Sequence, residues 1–430
     1  MSAPPTIDFA DPDFCRDPFE TYAWLREHQP VYEHPLGFRV LSRYEDCLAA
    51  LKDADTWSSD TRNATLRHQD SEYSEFLGAD VELQPDLFFD PPRYVDSRPF
   101  LFLDAPMHTR MRGLFSRAFT RHALDSYRAH IEQLAGQLMD EMRSKHEVDL
   151  VESFAYPLPV SMICHLMGVP AEDHELFRDW SRTLIGVLKP DFLTNKPERE
   201  QARKDFVALA GYFGSLMEER RGRPTDDLLS GLLETQNHPD SLDPVEIIGC
   251  CMQLLVAGHE TTTNLIANAA LALLRDRDQL KLLIEDPEVT RSAVEEFARY
   301  DSPLQVAARV PMRDVELHGE VVPAGQQTIL LLGSANRDAA VFEQPDRLDL
   351  RRSNAHRNIG FGSGPHVCIG GQLARLEGEV ALRVLVRYLN EVELVDEPVY
   401  RADGILRGVE HLRVRAGRTE QPDPASAFIS

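Results

Sequence analysis

Phe361-Gly362-Ser363-Gly364-Pro365-His366-Val367-Cys368-Ile369-Gly370 sets three glycines around one cysteine, and a helical pattern from Gln372 to Leu389 follows at once. Glycine has no Cβ, so it permits positive φ and close approach of backbone to a neighbouring atom. The spacing therefore predicts a loop whose N–H groups wrap the Cys368 sulfur. The N-terminus of the following helix adds positive potential, and both effects are expected to lower the thiol pKa. The plain alternative is a glycine-rich turn around a buried cysteine. A dinucleotide-binding loop is excluded: counted from Gly360, G-x-G-x-x-G needs glycine at 365, where Pro365 stands, and no βαβ context surrounds it.

Outward from this loop the chain reads as mainly helical. Helical periodicity dominates after Pro106, in segments such as HALDSYRAHIEQLAGQLMDEMRSK and EREQARKDFVALAGYFGSLMEERR. Pro244 to Leu274 predicts one long helix of about 45 Å, apolar on most sides and hence central. The small β portion comprises a hairpin in PVYEHPLGFRVLS, turning at Pro35-Leu36-Gly37, and short strands in ARVPMRDVELHGEVVPAG and QTILLL. Residues 57–100 are polar, acidic and proline-punctuated, and read as an irregular, lid-like excursion. Residues 417–430 read as a loose tail. No linker divides the chain, so 1–430 is read as a single domain.

Composition removes several function classes. The 430 residues carry 46 Lys plus Arg against 70 Asp plus Glu, a net charge of −24. Nucleic-acid binding and docking to anionic membranes both need a basic face. The N-terminus lacks the basic and apolar regions of a secretory signal, and no stretch approaches the roughly 18 apolar residues of a membrane span. Six cysteines without framework spacing suit a reducing compartment. A cytoplasmic protein, without nucleic-acid or membrane partners and monomeric, is expected.

A thiolate held in such a loop suits the axial position of a haem iron. The loop resembles the haem-binding signature of the cytochrome P450 family, F-x-x-G-x-x-x-C-x-G, with Phe361, Gly364, Cys368 and Gly370 at the fixed positions. Further segments resemble the family in order, from about Asp104 to Arg415. Ala257-Gly258-His259-Glu260-Thr261-Thr262 matches [AG]-G-x-[DE]-T; a zinc site H-E-x-x-H would need histidine at 263, which is Thr263. Small residues there are expected to let a flat cofactor lie on the helix, which is expected to open locally at the acid and hydroxyl. Glu296-Phe297-Ala298-Arg299 matches E-x-x-R, with Arg347 as the arginine that meets the pair from a later loop.

The resemblance implies a triangular, mainly α domain with a minor β region and a long central helix. It implies haem b (heme b) with Cys368 as the axial metal ligand, and O₂ as cosubstrate. His108, Arg112, Arg309 and His366 would hold the haem propionates; Ala257, Gly258, Phe361, Gly362 and Gly370 would also border the haem. Glu260 and Thr261 would relay protons. The family's pocket positions fall on Gln253, Val256, Ala257, Val306, Ala307, Ile405 and Leu406, with Phe88, Phe89 and Tyr94 as lid candidates. The implied activity is monooxygenation of an apolar small molecule, by hydroxylation or epoxidation. No flavin or iron–sulfur segment is visible, so NAD(P)H electrons are expected to arrive through ferredoxin reductase and ferredoxin. Arg117, Arg121, Arg352, Arg357 and Arg375 would offer that donor a basic face. The rival expectations are a peroxide-driven oxygenase or haem isomerase of the same fold, and a haem sensor without turnover.

Overall fold

The computed structural model describes residues 7–9, 11–65, 99–185, 196–234, 241–401 and 404–417. Helices α1 (Pro12–Arg16) and α2 (Phe19–His28) lead into the hairpin β1 (Val31–Glu33) and β2 (Arg39–Leu41), then α3 (Tyr44–Lys52) and β3 (Trp57–Ser58). The helical body follows: α4 (Met107–Phe115), α5 (Arg121–Arg143), a short strand β4 (Glu147–Asp149), α6 (Pro157–Met167), α7 (His174–Ile185), α8 (Lys196–Gly222), α9 (Leu228–Glu234) and α10 (Pro244–Arg275). After α11 (Arg277–Glu285) and α12 (Thr290–Tyr300) come β5 (Val306–Pro311), β6 (Val315–Leu317), β7 (Glu320–Val322), β8 (Thr328–Leu331) and the turn α13 (Leu332–Ala335). The chain ends in α14 (Gly371–Glu391), β9 (Val392–Leu394) and β10 (Arg413–Ala416).

The main sheet runs β1-β2-β8-β5-β3, with only the β2–β8 pair parallel. The predicted hairpin forms, with Gly37 at φ +82° in its turn. The excursion expected over 57–100 begins later than its sequence suggested. Trp57 and Ser58 pair with Pro311 and Val310, because a buried tryptophan completes the sheet edge. Residues 66–98, and with them Phe88, Phe89 and Tyr94, lie outside the described residues, as does the tail after 417.

Helix α10 is the axis of the molecule. Its 32 residues span about 48 Å. Asp243 starts it with a complete capping box: its carboxylate accepts from the N–H groups of Val245 and Glu246 at 2.8 Å, and Glu246 accepts the Asp243 N–H at 2.9 Å. Pro244 at the first helical position costs no hydrogen bond. The C-terminal half of α10 packs with α5, α12 and α14 into one apolar cluster. The N-terminal half packs with α4, α6, α8 and α9 into a second. The crossing between the two clusters positions the site. Among the described residues no helix is long and apolar enough to cross a membrane.

Candidate active site

The loop before α14 is built on two left-handed glycines. Gly362 and Gly364 both have φ +68°, and a Cβ on Gly364 would stand 2.3 Å from the Leu51 carbonyl oxygen. The Cys368 N–H donates to Phe361 O at 2.8 Å, and the Gly362 N–H to Ile359 O at 2.9 Å, closing the loop on itself. The Gly370 N–H bonds the Cys368 sulfur. Cys368 is exposed at its surface while the surrounding protein still crowds it. Its acidity departs from the sequence expectation. The crowding protein pushes the Cys368 thiol up, and the Gly370 N–H, Arg375 and Arg112 offset only part of that shift. The loop shapes a cradle for sulfur, but does not by itself ionise it.

Beside the cysteine stand the basic residues expected to hold carboxylates. His108 and His366 face each other with ring centroids 4.1 Å apart. Arg112 donates to the Val367 carbonyl at 2.5 Å. Arg309 is buried, and among the described residues its guanidinium donates only to the adjacent Ala308 carbonyl, at 2.7 Å. Burial, then His108, Arg309 and Arg112, push His366 down to about 3. Burial likewise brings Arg309 down to about 10 and lowers His108 and Arg112. Among the described residues buried His108 Nε2 has no hydrogen-bond partner, and Asp104, the acid that acts on His108 and Arg309, is bonded to Ser58 and the Ser59 N–H. Such mutually repelling basic groups, with a buried ring nitrogen to spare, fit the carboxylates of a haem.

Helix α10 supplies the other wall. Most of it is buried, yet Ala257 is exposed and Thr261, one turn on, is partly so. The helix runs unbroken through this stretch, contrary to the expected local opening. Thr261 donates its hydroxyl proton to the Ala257 carbonyl at 3.1 Å, which leaves its oxygen lone pairs free to accept. Gly258 also departs from expectation. A Cβ there would meet the Ile163 side chain at 3.0 Å, so the missing side chain admits helix α6 rather than a flat cofactor. Glu260 is buried, 2.8 Å from the Arg401 guanidinium and 3.6 Å from His259 Nε2.

Val256 and Leu406 share an apolar cluster with Phe100 and Ile163, flanked by Leu304, Ile405 and Ile369, the neighbour of Cys368. The backbone ties these segments together: Gln305 N–H donates to Ile405 O at 2.8 Å, and Leu101 N–H to the Gln253 side-chain oxygen at 3.5 Å. Strand alternation separates two residues expected side by side. Ala307 shares a face with Arg309, whereas Val306 turns away and packs on the N-terminal cluster around Phe9 and Phe38.

Beneath the loop, Glu296 and Arg299 have no exposed surface and pair at 2.7 Å. The third member is Arg352, whose Nε lies 3.1 Å from both Glu296 oxygens; Arg347 is exposed and offers only its backbone carbonyl, to Arg299 and Arg352. This corrects the assignment of Arg347, and removes Arg352 from the basic face. Arg375 leaves that face too. It pairs with Glu295 at 2.6 Å and lies over the Phe361 ring at 4.0 Å. Arg117, Arg121 and Arg357 stay exposed. Glu295 and Arg401 carried no local sequence signal.

The family model described as Cytochrome P450 matches residues 84–399. The chain belongs to the cytochrome P450 family. It is 38% identical over 412 residues to the vitamin D(3) 25-hydroxylase of Pseudonocardia autotrophica, covering 94% of this chain and 95% of the relative. It is 35% identical over 428 residues to the cytochrome P450 monooxygenase PikC of Streptomyces venezuelae, covering 96% and 95%. Among solved structures, P450BioI in complex with hexadec-9Z-enoic acid ligated acyl carrier protein superposes with a TM-score of 0.82 at 33% identity, covering 94% of this chain and 100% of that one. The fold is that of a P450, and the enzyme is a P450 monooxygenase, an oxidoreductase of the haem-thiolate type.

Proposed function

We propose that this P450 inserts one atom of O₂ into an apolar small molecule, with NAD(P)H electrons delivered by a ferredoxin reductase and a ferredoxin in the cytoplasm. The observation that carries this reading is the cluster of basic side chains His108, Arg112, Arg309 and His366, with His108 Nε2 unsatisfied among the described residues, beside an exposed Cys368. Haem b, when bound, supplies the iron at which oxygen is activated, and a metal-bound thiol is deprotonated whatever its free acidity. The chain's own residues do the rest. Cys368 would ligate the iron, and its loop would keep that sulfur from shifting. His108, Arg112, Arg309 and His366 would hold the haem carboxylates. Thr261, partly exposed beside Ala257, would present oxygen lone pairs to the bound oxygen's side, and Glu260 would supply protons there. Val256, Ala257, Ala307, Ile405 and Leu406, with Leu304, offer an apolar wall that excludes water and orients the substrate. The lipophilic molecules in the names of two relatives, vitamin D(3) and a hexadecenoic acid, favour an apolar substrate.

The first test is the absorption spectrum of the dithionite-reduced protein under carbon monoxide. A strongly red-shifted Soret band is expected; a histidine-type band would refute the Cys368 assignment. The second is substrate-dependent oxidation with NADH, a surrogate ferredoxin and its reductase. Turnover with peroxide alone would replace the proposal with a peroxide-driven oxygenase, and no turnover with any donor would leave a haem-binding sensor.

A further inference from the structure

His259 is the only histidine of α10 and is wholly buried. Its Nδ1 lies 2.5 Å from the Leu255 carbonyl oxygen. A carbonyl can only accept, so Nδ1 carries a hydrogen. In a neutral ring Nε2 is then a bare lone pair. Among the described residues that Nε2 has no hydrogen-bond partner, and the polar atom it faces is Glu260 Oε1 at 3.6 Å. Two lone pairs opposed in a dry setting repel, and an unsatisfied buried acceptor costs roughly 1–3 kcal/mol. One proton between the two removes both penalties. The remaining surroundings suit a shared proton. The Tyr156 ring meets His259 edge-on at 5.6 Å, and Arg401, its side chain 27% exposed, holds the other Glu260 oxygen at 2.8 Å.

We propose that His259 and Glu260 hold one proton in common, and that His259 is a positioning residue that keeps Glu260 loaded for delivery towards Thr261. The inference rests on the monooxygenase reading above. In the step, the His259 Nε2–H bond breaks and a Glu260 Oε1–H bond forms, leaving a neutral imidazole and an uncharged carboxyl group. Glu260 passes that proton on and returns to carboxylate, and water at the Arg401 edge restores the proton to the pair. Closing the 3.6 Å gap to hydrogen-bond length needs a movement of about 0.8 Å.

The test is His259→Asn in the haem-loaded full chain, because the asparagine amide keeps a donor for the Leu255 carbonyl and lacks Nε2. The carbon monoxide spectrum and the substrate-binding shift are expected to stay as in the wild type. Product formed per NAD(P)H is expected to fall several-fold with hydrogen peroxide making up the difference. The solvent isotope effect on oxygen consumption should rise about two-fold, and the pH profile of coupling should flatten. A haem-loaded variant with unchanged coupling, isotope effect and pH profile overturns the proposal. Should the variant lose haem, ¹⁵N NMR of the wild-type histidines in the diamagnetic carbonmonoxy form decides the matter. A buried imidazole whose Nε2 responds to Glu260→Gln is expected, and a bare Nε2 indifferent to that change overturns the proposal. Wild-type protein that forms no product with any donor refutes the monooxygenase reading instead, and leaves the NMR result standing on its own.

Discussion

Replacing Arg352 and Arg347 separately by methionine distinguishes two arginines that lie five positions apart on one loop. Arg352 Nε bonds both oxygens of Glu296, its other nitrogens bond the carbonyls of Glu343, Gln344 and Arg347, and its side chain is 7% exposed. Methionine keeps most of the apolar stem and removes every donor. Glu296 retains Arg299 and the Asp349 N–H, so the buried charge is not orphaned. The loss is thus smaller than the roughly 3–5 kcal/mol of breaking an isolated buried pair. A charge-assisted hydrogen bond contributes about 1.5–3 kcal/mol, and the carbonyls regain water only in part. Arg352→Met is therefore expected to cost about 2–4 kcal/mol. Arg347→Met removes an exposed side chain whose carbonyl does the work, so its cost should stay within about 0.5 kcal/mol. Urea unfolding of the haem-loaded protein, followed by loss of the carbon monoxide band, measures both. Equal stability of the two variants, or a larger loss at Arg347, would refute the network as described.

Glu377 is buried on α14 with an unpartnered Oε2, and burial raises its carboxyl to about 8. The folded state therefore holds a proton that the unfolded chain releases above about 4.5, so stability falls as pH rises from there towards 8, by a few kcal/mol in all. Glu377→Gln should flatten that decline in urea unfolding at pH 5.5 and 8, and a parallel decline in the variant would count against it. Gly364→Ala forces a Cβ against the Leu51 carbonyl in a left-handed backbone, and should lower haem content severely; full haem loading would contradict the loop geometry. Thr261→Ala should divert reducing equivalents to peroxide while the carbon monoxide spectrum holds. Unchanged coupling would remove Thr261 from the proton path.

Features written within a few residues were legible in the sequence. The turn at Gly37 and the cysteine loop each depend on local backbone chemistry, and each formed where expected. Features that depend on a distant partner were not. Sequence offers Arg347 and Arg352 as equal donors, and only the path of the loop after Gln344, with its positive φ of 46°, decides which side chain turns inward. A small residue at 258 says that something comes close, without saying that Ile163 takes the space. The opposite facings of Val306 and Ala307 were available from strand parity, since Ala307 and Arg309 are two apart, and a plain listing of pocket positions overlooked it. The raised thiol of Cys368 reflects crowding by the whole fold, which no local pattern encodes.

The adjacent acids Glu295 and Glu296 grip opposite flanks of the cysteine loop. Glu296 holds Arg352 upstream; Glu295 holds Asn358 at the loop's entry and Arg375 downstream. One turn of α12 thus acts as the anvil on which the cysteine sulfur is set, and among the described residues none of these bonds to the loop runs through α7 or α8. Residues on those distal helices can be exchanged for new ones while the cysteine keeps its place. Diversity in what the pocket admits and constancy in how the sulfur is presented are assigned to separate parts of the chain, so a library randomised around Val256, Ala307 and Ile405 should yield altered selectivity far more often than lost haem.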